Sequence, residues 1–191
     1  KDSISSIGVL GGGAWGTALA QVAASAGRSV TLWAFEADVV RAINSERQNP
    51  DFLPGVTLSP SIRATGDLAE AAACDAILAV SPAQHLRGVL KRLPAPKGKL
   101  VALCAKGVEQ GSLALMTEVL AAEAPQATPA VLSGPGFAKD VARGLPTATT
   151  IACADVGQAN ALVAAIGLPT FRPYVTDDLV GAEIGGAVKN V

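Results

Sequence analysis

The segment IGVLG (residues 7–11) runs directly into GGGAWG and then into the helical spacing of TALAQVAASAG. A chain that leaves an apolar strand, turns on glycine and enters a helix within a few residues has few folds open to it. The same alternation recurs downstream. Apolar runs occur at VTLWA (30–34), DAILAVS (75–81), LVALCAK (100–106), AVLSG (130–134), ATTIACA (148–154) and FRPYV (171–175). Between them lie Ala/Leu/Val-rich stretches such as SLALMTEVLAAEA, which predict helices ending at Gly or Pro. Strands alternating with helices of this length predict an α/β fold with a doubly wound, mostly parallel sheet. SIRATGD (61–67) predicts one more short strand, and the polar, Pro-punctuated NSERQNPDFLPGV (44–56) predicts a loop on the ligand side of the sheet.

Composition excludes several alternatives. Half the residues are apolar and 16% are charged, which suits a buried core and not a disordered chain. A net charge of −1 without a basic block argues against nucleic acid as a partner. No apolar run reaches the roughly 18–20 residues of a membrane span, and the N-terminal segment has no cleavable signal pattern. Cys74, Cys104 and Cys153 are odd in number and widely spaced, and read as reduced core residues of a cytoplasmic protein. His85 is the only histidine, which leaves little for a His-based metal site or a Ser-His-Asp triad, and no metal is expected.

Gly11-x-Gly13-x-x-Gly16 gains force from its position between a predicted strand and a helix in the first βαβ unit. Gly11 makes the tight turn, Gly13 lets a pyrophosphate approach the backbone, and Gly16 lets the helix pack close to the strand. The free N–H groups of the helix start receive the negative charge. The expected fold is therefore Rossmann-type, with residues 1–178 as its dinucleotide-binding domain. The position that usually carries an acid for the cofactor ribose falls on Ala34, followed by Phe35 and Glu36. Glu36 opposes a 2′-phosphate and no arginine stands at these three positions, which favours NAD over NADP.

Lys106 ends a strand whose C-terminus should face the cofactor crevice, and Ser133-Gly134-Pro135-Gly136 is a second glycine turn after the next strand. The last segment, VGAEIGGAVKNV (180–191), has helical spacing and a face of small residues: Ala182, Gly185, Gly186 and Lys189 fall at i, i+3, i+4 and i+7. Two glycines weaken a helix by roughly 1 kcal/mol each. Such a face leaves room beside the lysine. The segment stops in mid-pattern, so residues 179–191 are read as the start of a helix leading into a further domain.

Taken in order, GGGAWGTALA, VTLW, NPDFLPG with LSPSIRAT, CAKGVE, SGPGFAKDVA and GAEIGGAVKNV make the whole chain resemble the N-terminal portion of the bacterial NAD(P)-dependent glycerol-3-phosphate dehydrogenases. The resemblance implies hydride transfer between NAD(P)(H) and the pair dihydroxyacetone phosphate and sn-glycerol 3-phosphate, feeding glycerophospholipid synthesis. By matching motif, Lys189 is the proton donor to the carbonyl oxygen, and Lys106 contacts substrate and cofactor. Gly134 and Gly136 match substrate contacts, with Asn190 a polar helper. Gly11, Gly13, Ala14, Trp15, Gly16, Phe35 and Ala138 match cofactor positions. An ammonium both stabilises the growing oxyanion and supplies its proton. A nearby second cation lowers a lysine's pKa, so Lys106 and Lys189 are expected close together.

The sequence departs from the family in three places. Gly136 stands where the family commonly has Ser or Thr, AVSPAQ (79–84) lacks the usual proline-first order, and the family's helical second domain is absent from this chain. Without that domain, nucleotide binding with little turnover is expected. The residues leave open another Rossmann dehydrogenase of the hydroxyacyl-CoA or 6-phosphogluconate type, or a non-catalytic nucleotide sensor. They also leave open the oligomeric state, a homodimer included.

Overall fold

The computed structural model describes residues 3–94 and 96–188. The chain forms β1 (Ser6–Leu10), α1 (Ala14–Ser25), β2 (Ser29–Trp33), α2 (Ala37–Glu46), β3 (Ile62–Thr65), α3 (Leu68–Ala72), β4 (Ala76–Ala79) and α4 (Ala83–Lys91). It continues through β5 (Leu100–Leu103), α5 (Met116–Glu123), β6 (Thr128–Ser133), α6 (Ala138–Ala142), β7 (Thr147–Ala152), α7 (Val156–Ile166), β8 (Phe171–Thr176) and α8 (Leu179–Val188). The eight strands form one sheet ordered β3-β2-β1-β4-β5-β6-β7-β8. All neighbours are parallel except β6 and β7. This is the expected α/β, doubly wound, Rossmann-type arrangement. From β1 the chain steps outward to β2 and β3, then returns to the other side of β1 for β4, so β1/β4 is the switch point where a crevice opens.

Both sheet faces are covered, which explains the continuous apolar strands. Ile7 and Val9 of β1, Leu78 of β4 and Leu100 of β5 pack towards α1, α2, α6 and α7. Leu10, Ile77, Val101 and Leu103 pack on the opposite face, towards α3, α4 and α5. Cys74, Cys104 and Cys153 are buried and form no disulfide, and burial pushes the Cys104 thiol well above its ordinary range. No helix among the described residues is long and apolar enough to cross a membrane.

Two local readings are corrected. The helix expected from Ser112 begins only at Met116, because Leu113 takes a left-handed backbone (φ 59°) two residues after the positive-φ Gly111. The loop expected from Asn44 begins after Glu46, where Arg47 caps α2 in a left-handed conformation. The short strand in SIRATGD is present as β3.

At the N-terminal edge of the sheet, one Asp75 oxygen accepts from the Ser5 amide (2.9 Å), the Ser5 hydroxyl (2.8 Å) and the Ser6 amide (2.8 Å). These donors lower the Asp75 carboxyl from its ordinary 3.8 to about 2. A depressed folded-state pKa contributes stability above the unfolded value, and that contribution is lost as pH falls from about 4 to about 2. Urea midpoints measured across this window should fall with acid, and Asp75→Asn should flatten the slope.

Candidate active site

The glycine turn follows from three different spatial demands. Gly11 has φ +131° and its N–H donates to the Trp33 carbonyl at 2.9 Å, which turns the chain across the end of β2. A Cβ on Gly16 would lie 1.9 Å from the Gly11 carbonyl oxygen, so only glycine lets α1 sit this close to β1. A Cβ on Gly13 would meet nothing within 4 Å. That open space lies at the start of α1, which has no side-chain cap and no acid in its first turn. Positive backbone groups therefore face a place where a phosphate can come against the main chain.

This turn is one wall of a cleft of about 820 Å³ at the switch point. Trp15, Phe35 and Glu36 line it, together with Trp33 and Arg92. The Trp15 indole N–H is buried and has no acceptor among the described residues. Phe35 is 80% exposed and free to cover a planar ring. Open backbone at Gly13, an uncapped helix start, an orphaned donor and an aromatic lid together fit a dinucleotide. Among the described residues no group of His, Cys, Asp and Glu is arranged to hold a metal ion.

Behind the turn stands a residue that sequence reasoning placed only in a loop. Asn49 is fully buried, and its side-chain amide donates to the Gly12 carbonyl and to the Thr17 hydroxyl, each at 2.8 Å. It fixes the glycine turn from the rear. Asn49→Ala removes the shorter of two donors to the buried Gly12 carbonyl, leaving the Thr17 hydroxyl at 3.3 Å, at a cost of about 1 kcal/mol. The expected outcome is a lower melting temperature together with an approximately tenfold loss of nucleotide affinity, read by calorimetry. The asparagine preceding Pro50 was the available signal, but its partners lie 37 and 32 residues away.

The far end of the crevice gathers three segments. Lys106, just beyond β5, directs its Nζ to the Gly134 carbonyl at 3.2 Å and stands 6.0 Å from the Trp15 ring centroid. Gly134 packs against Thr149, whose hydroxyl donates to the Ser133 carbonyl at 2.8 Å. On α8, a Cβ at Gly186 would lie 2.7 Å from Ser133 Oγ and 3.9 Å from Lys106 Cγ. Gly186 thus brings the α8 backbone against both, whereas Gly185, on the expected small-residue face, is exposed with open space around it. Glu183 anchors that helix: its buried carboxylate accepts from the Thr117 amide (3.0 Å) and hydroxyl (2.6 Å). No motif or spacing in the chain marks that anchor. Lys189 and Asn190 lie outside the described residues.

The two departures within the described residues have physical accounts. A Cβ at Gly136 would lie 2.9 Å from Thr147 Cγ2 and 3.1 Å from Val141 Cγ2, so a hydroxyl-bearing side chain there would need its neighbours to move. Ser81, the first residue of the altered SPAQ order, donates to the Leu10 carbonyl at 3.1 Å and stitches the end of β4 to β1. Ala138 opens α6 and packs on the core. The loop carrying Lys106 is held to α4 by Gln84, which bonds Val108 and Gln110, and by a two-toothed Arg87–Glu109 pair at 2.8 Å. The guanidinium holds the Glu109 carboxyl down at about 2.

The model of the NAD-dependent glycerol-3-phosphate dehydrogenase N-terminus matches residues 6–159. A glycerol-3-phosphate dehydrogenase (NAD(P)+) of Parvibaculum lavamentivorans is 65% identical over 188 residues, covering 97% of this chain and 56% of the relative. The corresponding protein of Maricaulis maris is 62% identical with the same coverage. The crystal structure of glycerol-3-phosphate dehydrogenase from Coxiella burnetii superimposes with a TM-score of 0.90 at 36% identity, covering 98% of this chain and 58% of that one. The chain thus spans a little over half the length of these relatives. A UDP-glucose dehydrogenase from Pyrobaculum islandicum, at 18% identity and a TM-score of 0.70, shares the fold alone.

Proposed function

Because the chain belongs to the NAD-dependent glycerol-3-phosphate dehydrogenase family, we propose that it binds NAD(P)(H) in the switch-point cleft and takes part in interconverting dihydroxyacetone phosphate and sn-glycerol 3-phosphate. Residues 1–178 act as the nucleotide-binding unit, and 179–191 begin the helix that carries the proton donor. The bound nicotinamide supplies or accepts the hydride. The chain's own residues do the rest.

Gly11, Gly13 and Gly16 seat the pyrophosphate on the α1 N-terminus, with Ala14, Trp15, Phe35 and Ala138 completing the cofactor contacts. Lys106 attracts the substrate phosphate and spans the boundary between substrate and nucleotide. Gly134 and Gly136 offer backbone to the substrate, and Asn190 holds the substrate beside Lys189. Lys189 gives its proton to the carbonyl oxygen during reduction and takes it back in reverse. The observation that carries this reading is the convergence of Lys106, Ser133 and Gly186, with the Lys106 ammonium 6.0 Å from the ring of Trp15, which lines the cleft. Three segments far apart in sequence meet where a small phosphorylated substrate would reach the cofactor.

A cytoplasmic location accords with three buried cysteines that form no disulfide. A homodimer is proposed as the assembly, to be checked by sedimentation. A substrate screen tests the function. With the chain joined to the C-terminal part of the Parvibaculum relative that the match does not cover, and with NADH or NADPH, dihydroxyacetone phosphate should be consumed while 3-hydroxyacyl and 3-ketoacyl thioesters and 6-phosphogluconate remain untouched. Turnover of a thioester would place the chain with the sister enzymes, and nucleotide binding without any turnover would favour a sensor.

A further inference from the structure

The adenosine end of the cleft holds a cation that no reading of β2 alone would find. Arg92 caps the C-terminus of α4, which follows β4 on the other side of the switch point. Its guanidinium carbon stands 5.9 Å from the centroid of the Trp33 ring. Trp33 is the last residue of β2, is 5% exposed, and is fixed by its indole N–H donating to the Gly66 carbonyl at 3.1 Å. A buried ring held at one edge is a firm floor for the guanidinium plane. Among the described residues no carboxylate pairs with Arg92, and its side chain is exposed to the cleft that Trp33, Phe35 and Glu36 also line.

In a doubly wound sheet the adenosine ribose lies over the end of β2, where an acidic residue accepts from its hydroxyls or an arginine accommodates a 2′-phosphate. Here Ala34 brings no polar group to that place. Glu36 stands two residues further on, at the N-cap of α2, and makes no side-chain hydrogen bond there. The ribose end is thus bordered by one carboxylate and one guanidinium that do not neutralise each other. The carboxylate suits free ribose hydroxyls and repels a 2′-phosphate. A guanidinium is permanently charged, and its planar fork suits two phosphate oxygens at once.

We infer that Arg92 is the specificity-determining residue for the 2′-position of the cofactor ribose, giving this cleft a grip on NADPH that Glu36 would otherwise deny. The inference rests on the nucleotide-binding part of the function proposed above. It assigns the discrimination to two opposed residues from different halves of the sheet, with Glu36 favouring NADH and Arg92 favouring NADPH.

Calorimetric titration of the chain with NADH, NADPH, 5′-ADP and 2′,5′-ADP tests this, because the two shorter probes carry no nicotinamide. Arg92→Ala should weaken NADPH and 2′,5′-ADP at least tenfold while changing NADH and 5′-ADP less than about threefold. Arg92→Lys should recover part of the loss, and Glu36→Gln should tighten NADPH relative to NADH. Melting curves of each variant establish that the fold is intact. Equal losses for both members of a pair would mean that the guanidinium packs on adenine or supports the cleft, and would overturn the assignment. So would a wild-type chain that binds NADH but not NADPH, or an Arg92→Ala chain that binds all four probes normally. A folded wild-type chain that binds neither dinucleotide would instead remove the functional reading beneath it.

Discussion

Lys189→Ala is expected to reduce dihydroxyacetone phosphate about 10³-fold more slowly, with NAD(P)H affinity unchanged. The assay uses the chain joined to the C-terminal part of the Parvibaculum relative that the match does not cover. During reduction, negative charge collects on the carbonyl oxygen as hydride arrives, and a proton must reach it before product leaves. One positioned ammonium meets both needs, and a loss of three decades corresponds to about 4 kcal/mol of barrier. Lys189→Arg separates the two roles, since a guanidinium keeps the charge but holds its proton too tightly to give it up. It should remain far below wild type. Lys106→Ala should behave differently, raising KM and the nucleotide Kd together, because Lys106 stands by Gly134 and near the Trp15 ring. Near-normal turnover by Lys189→Ala would remove it as the donor.

Gly13→Asp and Gly16→Ala, changes within one turn, should fail in opposite ways. Gly13 has an extended backbone (φ −69°, ψ −177°), occupies the N-cap of α1 and has open space where a Cβ would stand. Aspartate is a favoured N-cap and suits the positive helix end, so stability should hold or rise by a few tenths of a kcal/mol. The same carboxylate occupies and repels the phosphate site, so nucleotide affinity should fall more than about 100-fold. At Gly16 the added methyl would stand 1.9 Å from a backbone oxygen, and the strand–helix contact must open. A loss of about 3 kcal/mol is expected, seen first in the melting temperature. If both variants lost stability alike, the turn would be a packing feature and not a phosphate cradle.

The central parallel strands β4 and β5 were legible because they are buried on both faces, so Ala76–Ala79 and Leu100–Leu103 read as unbroken apolar runs. The start of α5 was not, because Leu113 and Ala114 fit a helical pattern that the left-handed turn at Leu113 interrupts. Gly11, Gly13 and Gly16 were readable because their three demands are set within one turn of chain. Lys106 was readable because a charge closing an apolar strand has to emerge at the sheet's carboxyl edge. Asn49, Glu183 and Arg92 act through partners dozens of residues away, namely Gly12, Thr117 and Trp33. No local pattern announces such contacts. The Gly136 departure reads in sequence as a lost hydroxyl, whereas the packing of Thr147 and Val141 makes it a fitted surface.

The most direct test follows the hydride itself. NADH or NADPH deuterated at the transferring C4 position is mixed with dihydroxyacetone phosphate and the chain completed as above, and the product is analysed by mass spectrometry. The account predicts sn-glycerol 3-phosphate carrying one deuterium on C2, formed in step with loss of the reduced nucleotide. Bound nucleotide with no labelled product, or product whose C2 hydrogen comes from water, would contradict it.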